Sequence, residues 1–149
     1  MSHEPLKLQA TDSEDVAVLA ACLQDALVPI AEMDYIAAEQ RFALVANRFR
    51  WENCDESQAD CGAFERVNCG VAFEGVTGVR HRNIDRADRG QILDLLTIEV
   101  EGGAVNLLFA GGGVISLDVE RVRCLVRDIG EPWPTKWRPK HAVVEGDGG

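Results

Sequence analysis

Apolar and polar positions alternate through most of the second half of the chain, with glycine-containing turns between the apolar runs. Five runs have this pattern and predict β-strands, at residues 67–73, 76–79, 92–100, 105–109 and 114–119. Alternation with a period of two turns one side of each strand towards the core. The second half is therefore predicted to be a set of neighbouring antiparallel strands.

The first part of the chain combines a short strand with one helix. Residues 6–9 alternate in the strand period, and Thr11 and Glu14 then have the spacing of a capping box at a helix start. The apolar stripe that follows recurs at three and four residues, at Val16, Leu19, Leu23 and Leu27. This spacing predicts an amphipathic helix whose latest possible end is Pro29.

Residues 33–36 and 41–49 are spaced as the two strands of a β-hairpin. Phe42, Leu44 and Ala46 alternate in the second strand, but Phe49 is one residue out of step, and we interpret this slip as a β-bulge. Residues 52–62 are polar and acidic without either apolar period, which predicts an exposed loop.

The end of the chain gives a less uniform pattern. Residues 120–129 fit a strand through Val122, Cys124 and Val126, or a helix through Val119, Val122, Val126 and Ile129. We favour the strand because β-branched residues prefer it. Three prolines after Gly130 predict an extended tail without regular pairing, held to the body by Trp133 and Trp137.

Together these elements predict an α+β fold with a mainly antiparallel, strongly curved sheet or partly open β-barrel and one packed N-terminal helix. We expect residues 1–141 to form a single globular domain and residues 142–149 to be a disordered tail.

The net charge of −10 argues against non-specific binding to nucleic acids, because a polyanion would be repelled by most of the surface. We expect a cytoplasmic protein, since no signal peptide or membrane-spanning segment is recognisable. The five cysteines are an odd number and are interpreted as reduced thiols, with Cys22, Cys69 and Cys124 inside apolar patterns.

No pattern in the sequence indicates a cofactor, a metal site or catalytic residues. Cys54 and Cys61 are separated by more residues than the paired thiolates of structural zinc sites. Gly111, Gly112 and Gly113 precede a strand rather than the helix that a phosphate loop requires, so they predict a hairpin turn. No known catalytic motif is present, and we lean towards a protein that is not an enzyme.

Two groups of side chains are candidates for binding. The first is the polar and aromatic cluster Arg48, Arg50, Trp51 and Glu52, because arginine and tryptophan are enriched in interface hot spots. The second is a basic group suited to an anionic ligand or an acidic partner surface: Arg80, His81, Arg82, Arg86 and Arg89, of which Arg80 and Arg82 are the main candidates.

Several short segments, in their order and spacing, resemble a family of small bacterial proteins, typical of alphaproteobacteria, known as domain of unknown function 2948. The segments that carry the resemblance are Leu6-Lys7-Leu8, residues 12–15, Leu23-Gln24-Asp25-Ala26, Arg41-Phe42-Ala43-Leu44, Asn47-Arg48-Phe49, Trp51-Glu52, residues 109–113, Leu117-Asp118-Val119-Glu120, Pro132-Trp133, Arg138-Pro139 and His141. The resemblance implies a bacterial source and no known activity.

The function is therefore unknown at this level. Our leading hypothesis is a non-enzymatic, cytoplasmic protein-binding or adaptor module whose partner is an unidentified protein rather than a nucleic acid or a membrane. The alternative is a small-molecule-binding protein or enzyme with a site inside the curved sheet.

Overall fold

One α-helix and ten β-strands make up residues 6–50, 65–85 and 87–134, which are the residues that the computed structural model describes. The helix, α1, is Ser13–Leu23. The strands are β1 (Lys7–Ala10), β2 (Ala26–Pro29), β3 (Met33–Ile36), β4 (Arg41–Phe49), β5 (Glu65–Glu74), β6 (Val76–Arg82), β7 (Ile92–Glu101), β8 (Ala104–Phe109), β9 (Val114–Val119) and β10 (Cys124–Pro134).

All ten strands belong to one curled sheet, in the order β1-β10-β5-β4-β2-β7-β8-β9-β6, with β3 paired to β4 beside this path. Every pairing is antiparallel. Strands β7, β8 and β9 form the predicted meander, and the sheet curls without closing. The predicted α+β fold with a curved antiparallel sheet and one helix is confirmed.

The helix begins one residue later than predicted and ends before Leu27, which the predicted apolar stripe included. Asp12 is the N-cap, and its carboxylate accepts a hydrogen bond of 2.8 Å from the Asp15 amide, so the predicted Thr11 and Glu14 capping box is wrong by one residue. The helix ends at Leu23, before Asp25 takes a left-handed conformation with φ +64°. Leu27 therefore lies in β2, where pairing with β7 outweighs its helical spacing.

The predicted hairpin of residues 33–36 and 41–49 is confirmed as β3 and β4. The predicted bulge is wrong, because β4 pairs with β5 without a register shift from Arg41 opposite Glu74 to Phe49 opposite Arg66. The alternation instead continues through Arg48, which follows Ala46 into the core. Phe49 is buried on the other face, where the Arg66 guanidinium lies 5.8 Å from its ring centroid.

The buried Arg48 side chain is paired with Asp128 of β10. Arg48 Nε and Nη2 donate hydrogen bonds of 2.9 Å to the two carboxylate oxygens of Asp128, and the exposed fractions of the two side chains are 0% and 1%. Asp128 also accepts a 2.8 Å hydrogen bond from the amide of Leu6. The Asp128 carboxylate is therefore buried, and its charge is matched inside the core.

The strand predicted over residues 120–129 is confirmed from Cys124 onwards, where β10 begins, whereas residues 120–123 precede it. It continues further than predicted, because a register shift between Ile129 and Trp133 lets it resume pairing with β5 beyond Gly130 and Pro132. Trp133 is half-buried opposite Arg66. Trp137 and the predicted disordered segment 142–149 lie outside the described residues.

The apolar core is formed by the inward faces of the strands and the buried side of α1. Four helix residues contribute to it: Val16, Leu19, Ala20 and Leu23. Cys69 and Cys124 are fully buried free thiols, as the apolar pattern around them predicted. Burial raises the pKa of each thiol to about 12. These thiols are therefore protonated at neutral pH.

We expect the Arg48→Met substitution to destabilise the protein by about 3–5 kcal/mol, because it leaves the buried Asp128 carboxylate without its cation. The double variant Arg48→Met/Asp128→Leu is expected to be more stable than Arg48→Met alone. Urea denaturation measures both free energies of unfolding. Arg80→Met is the control, since its ion pair with Asp118 is exposed and is expected to contribute about 1 kcal/mol or less. A cost below about 1 kcal/mol for Arg48→Met would contradict the assignment.

Alkylation with iodoacetamide tests the burial of the two thiols. At pH 8 the folded protein is expected to leave Cys69 and Cys124 unmodified, because the thiolate is the reactive form and their pKa values are about 12. Peptide mapping by mass spectrometry measures the modification of each residue, and the same reaction in urea is the control. Rapid modification of either thiol in the folded state would contradict this prediction.

Because folding raises both pKa values, we also expect the free energy of unfolding to fall as the pH rises from about 9 towards 12.

Candidate functional site

A cleft of about 660 Å³ opens on the side of the molecule where the sheet fails to close. One wall consists of the 3₁₀ turn Ile30–Glu32 and β3, and the other consists of β6 and the connection that follows it. Phe42, on the cleft floor, and Arg48 are separated by six positions along β4, or roughly 20 Å. The cleft and the buried ion pair therefore lie towards opposite ends of the curled sheet.

Hydrogen bonds join the two walls of the cleft on two sides. At one side the Tyr35 hydroxyl donates to the carbonyl oxygen of Val76, at 2.9 Å, where β6 begins. At the other side Arg89 Nη2 lies 3.5 Å from the Ala31 carbonyl oxygen, and the Ile30 amide donates to the Gln91 carbonyl oxygen at 2.9 Å. These contacts hold the walls together at the margins, and the open space lies between them.

The floor of the cleft is apolar. It is formed by side chains from five parts of the fold: Ile30, Phe42, Val79, Ile84 and Ile115. Ile84 reaches this position because it packs directly on Gly113, where an added Cβ would lie 2.9 Å from Ile84 Cγ1. A larger residue at Gly113 would displace Ile84 and change the floor. The glycine run that resembled a turn in the sequence therefore also shapes the cleft.

Both long walls of the cleft are strand edges. Among the described residues β3 pairs only with β4, and β6 pairs only with β9. The other edge of each strand carries backbone groups that no strand in the described part of the chain pairs with. Such edges can pair with an additional strand.

Two acidic residues border one wall of the cleft, and a histidine and an arginine border the other. Glu32 and Asp34 are exposed on the β3 side, and His81 and Arg89 are exposed on the opposite side. Val79 and His81 line the cleft, so Arg80, which alternates with them, projects to the other face of β6. There Arg80 Nη2 donates to Asp118 Oδ1 at 2.6 Å, with both side chains largely exposed.

The structure places Arg48 and Arg50 of the first predicted binding cluster away from the cleft. Arg48 is paired with Asp128 in the core, and the mostly buried Arg50 donates a 2.5 Å hydrogen bond from Nη1 to Glu65 Oε1. Trp51 and Glu52 lie outside the described residues. The binding role of this cluster stays a prediction. In the structure, Arg48 connects β4 to β10, and Arg50 connects the end of β4 to the start of β5.

The second predicted group forms part of the cleft and its border. His81 and Arg89 line it, while Arg80 and Arg82 are exposed on the same edge strand. Arg86 lies outside the described residues. The sequence analysis missed Glu32 and Asp34 on the other wall. Glu32 directly precedes the predicted strand 33–36 and Asp34 lies within it, and this position could have indicated that they border a strand edge.

No group of three or more His, Cys, Asp or Glu side chains that could hold a metal ion occurs in the described ranges. Cys54 and Cys61 lie outside those ranges. In the described part of the chain, no helix has the length and hydrophobicity needed to cross a membrane.

Comparison with known proteins identifies a related family. The family model described as "Protein of unknown function (DUF2948)" matches residues 6–141, which covers nearly the whole chain. No curated protein and no solved structure shows significant similarity to the chain.

Proposed function

The chain belongs to the DUF2948 family, a family of unknown function, and we propose that it is a non-enzymatic protein-binding or adaptor module. The observation that supports this proposal is the cleft between the unpaired edges of β3 and β6, with its apolar floor. The proposed occupant is an extended segment of an unidentified partner protein. The free thiols of Cys69 and Cys124 are compatible with action in the cytoplasm, the location that we propose.

Strand addition explains why this cleft suits a peptide. An extended segment can form backbone hydrogen bonds with an exposed sheet edge, and its alternate side chains then enter neighbouring pockets. A segment added to β6 would direct one set of side chains towards Val79 and His81 above the floor. The other set would lie beside Arg80 and Arg82, where acidic side chains are favoured.

Charged edge strands also have a purely structural explanation. Natural sheets place charged residues on edge strands because they oppose unwanted edge-to-edge association. Arg80, His81 and Arg82 fit this explanation equally well. The partner-binding proposal depends on a further feature, which is that the same edge borders a recess with an apolar floor.

A second function competes for the same cleft. Its volume of about 660 Å³ falls within the roughly 300–1,000 Å³ of small-molecule sites, and its lining includes the polar groups of Tyr35, His81 and Arg89. A small polar ligand with an apolar part would therefore also fit. In that case contacts would be confined to the residues that line the cleft.

The first experiment is affinity purification of the tagged protein from its source organism, with mass spectrometry of what is recovered. A stoichiometric partner is expected. Binding of that purified partner is then measured for Arg80→Glu/Arg82→Glu, which we expect to weaken the interaction at least about tenfold, because both substitutions reverse charge along the proposed binding edge.

The control is Arg121→Glu/Arg123→Glu, which makes the same charge change at the same spacing on exposed residues outside the cleft lining. We expect this variant to bind the partner as the wild type does. Equal weakening by both variants would mean that net charge, and not the β6 edge, controls the interaction. Recovery of the tagged protein without any partner would favour the small-molecule alternative.

A further inference from the structure

A shallow groove of about 520 Å³ crosses the outer face of the sheet, over strands β3, β4, β5, β10 and β1. Small or β-branched residues form its floor: Ala43, Val45, Gly70 and Ala72. Leu125 and Ile129 rise beside the floor and are 39% and 47% exposed. Ile129 packs close to Gly70, where an added Cβ would lie 3.3 Å from Ile129 Cδ1.

The strand register makes this apolar strip continuous. Ala43 of β4 is opposite Ala72 of β5, which is opposite Leu125 of β10. Two residues further along the strands, the next row of outward-facing residues runs from Val45 through Gly70 to Arg127. The strip is three strands wide and lies on the outer face of the sheet. Burying it against another surface would be favourable, because apolar surface would be removed from water.

The charges around the groove are separated by sign. Lys7 and Arg127 lie together on β1 and β10, whereas Glu32 and Asp34 lie at the β3 side. The order β3-β4-β5-β10-β1 puts four strand spacings between the two sides, or roughly 19 Å. These four charges sum to zero, although the chain as a whole carries −10. This face is therefore locally balanced on an acidic protein.

We propose that the outer groove is the interface of a homodimer, in which two copies pack these faces together. A twofold axis parallel to the strands, between the two faces, places the β3 side of each copy over the β1 and β10 side of the other. Asp34 and Glu32 of one copy then face Arg127 and Lys7 of the second copy, twice in the same interface. Only this orientation matches opposite charges while burying both apolar strips.

Leu125→Glu tests the apolar part of the interface. Sedimentation velocity over a concentration series is expected to show a wild-type dimer and at least about a tenfold higher dimer dissociation constant for this variant. Ile92→Glu is the matched control, because Ile92 is 59% exposed and outside the groove lining, and we expect its dimer to be unchanged. A wild type that is monomeric at every concentration would overturn the proposal.

A mixing experiment tests the orientation and does not rely on Leu125→Glu being folded. Asp34→Arg alone and Arg127→Glu alone are each expected to weaken the homodimer. In the first variant the new arginine at position 34 would face Arg127 of the other copy, and in the second the new glutamate at position 127 would face Asp34, so each variant has two repulsive pairs per dimer. In an equal mixture the two variants restore both pairs, so a heterodimer is expected to form. Single variants that dimerise as the wild type does, or a mixture that stays monomeric, would overturn the proposed arrangement.

Glu32 and Asp34 border both the groove and the cleft, so Leu125→Glu and Arg127→Glu are the variants that separate the two proposals. Leu125 and Arg127 do not line the cleft, and oligomeric state is measured without any partner. If the wild type is monomeric while Leu125→Glu weakens binding of the captured partner, the groove belongs to that partner and the homodimer proposal fails.

Discussion

The connection at Gly75 constrains the rest of the architecture. A single residue with φ +72° joins β5 to β6, although these strands lie third and ninth in the sheet order. The sheet must therefore curl through six strand positions to bring β6 back beside the end of β5. The Val76 amide is held at 2.8 Å by the Gln40 carbonyl oxygen, but the rest of β6 pairs with β9 and diverges from β3. The cleft follows from this partial closure.

The Arg48 and Asp128 pair gives the other end of the sheet a different character. A charged pair in the core is costly to desolvate and is stable here because both carboxylate oxygens receive guanidinium hydrogen bonds. The Leu6 amide adds a third bond, which also joins the residue preceding β1 to β10. The ion pair thus connects β4, β10 and the residue that precedes β1 inside the core. At the cleft end of the sheet, apolar side chains border solvent instead.

Most elements could be predicted from the sequence because their apolar positions alternate without interruption, as in β8 and β9. Prediction failed where one residue served two patterns. Leu27 continues the helical stripe of α1 but pairs in β2, and only long-range pairing decides between them. Arg48 occupies a core position that a hydrophobicity pattern cannot recognise, since its partner Asp128 is 80 residues away. Only the basic side of the cleft could be predicted, because its residues form a cluster in the sequence. Glu32 and Asp34 are brought opposite them only by the curl of the sheet.

Net charge and local charge lead to different conclusions for this protein. The total of −10 acts on a large polyanion through the summed field of the surface. At physiological ionic strength the Debye length is about 8 Å, so a short segment docked on β6 responds mainly to the groups beside it. Those groups are the exposed Arg80, His81 and Arg82, together with Asp118, which is paired with Arg80. An acidic chain can therefore repel nucleic acid over most of its surface and still accept a few carboxylates at one strand edge.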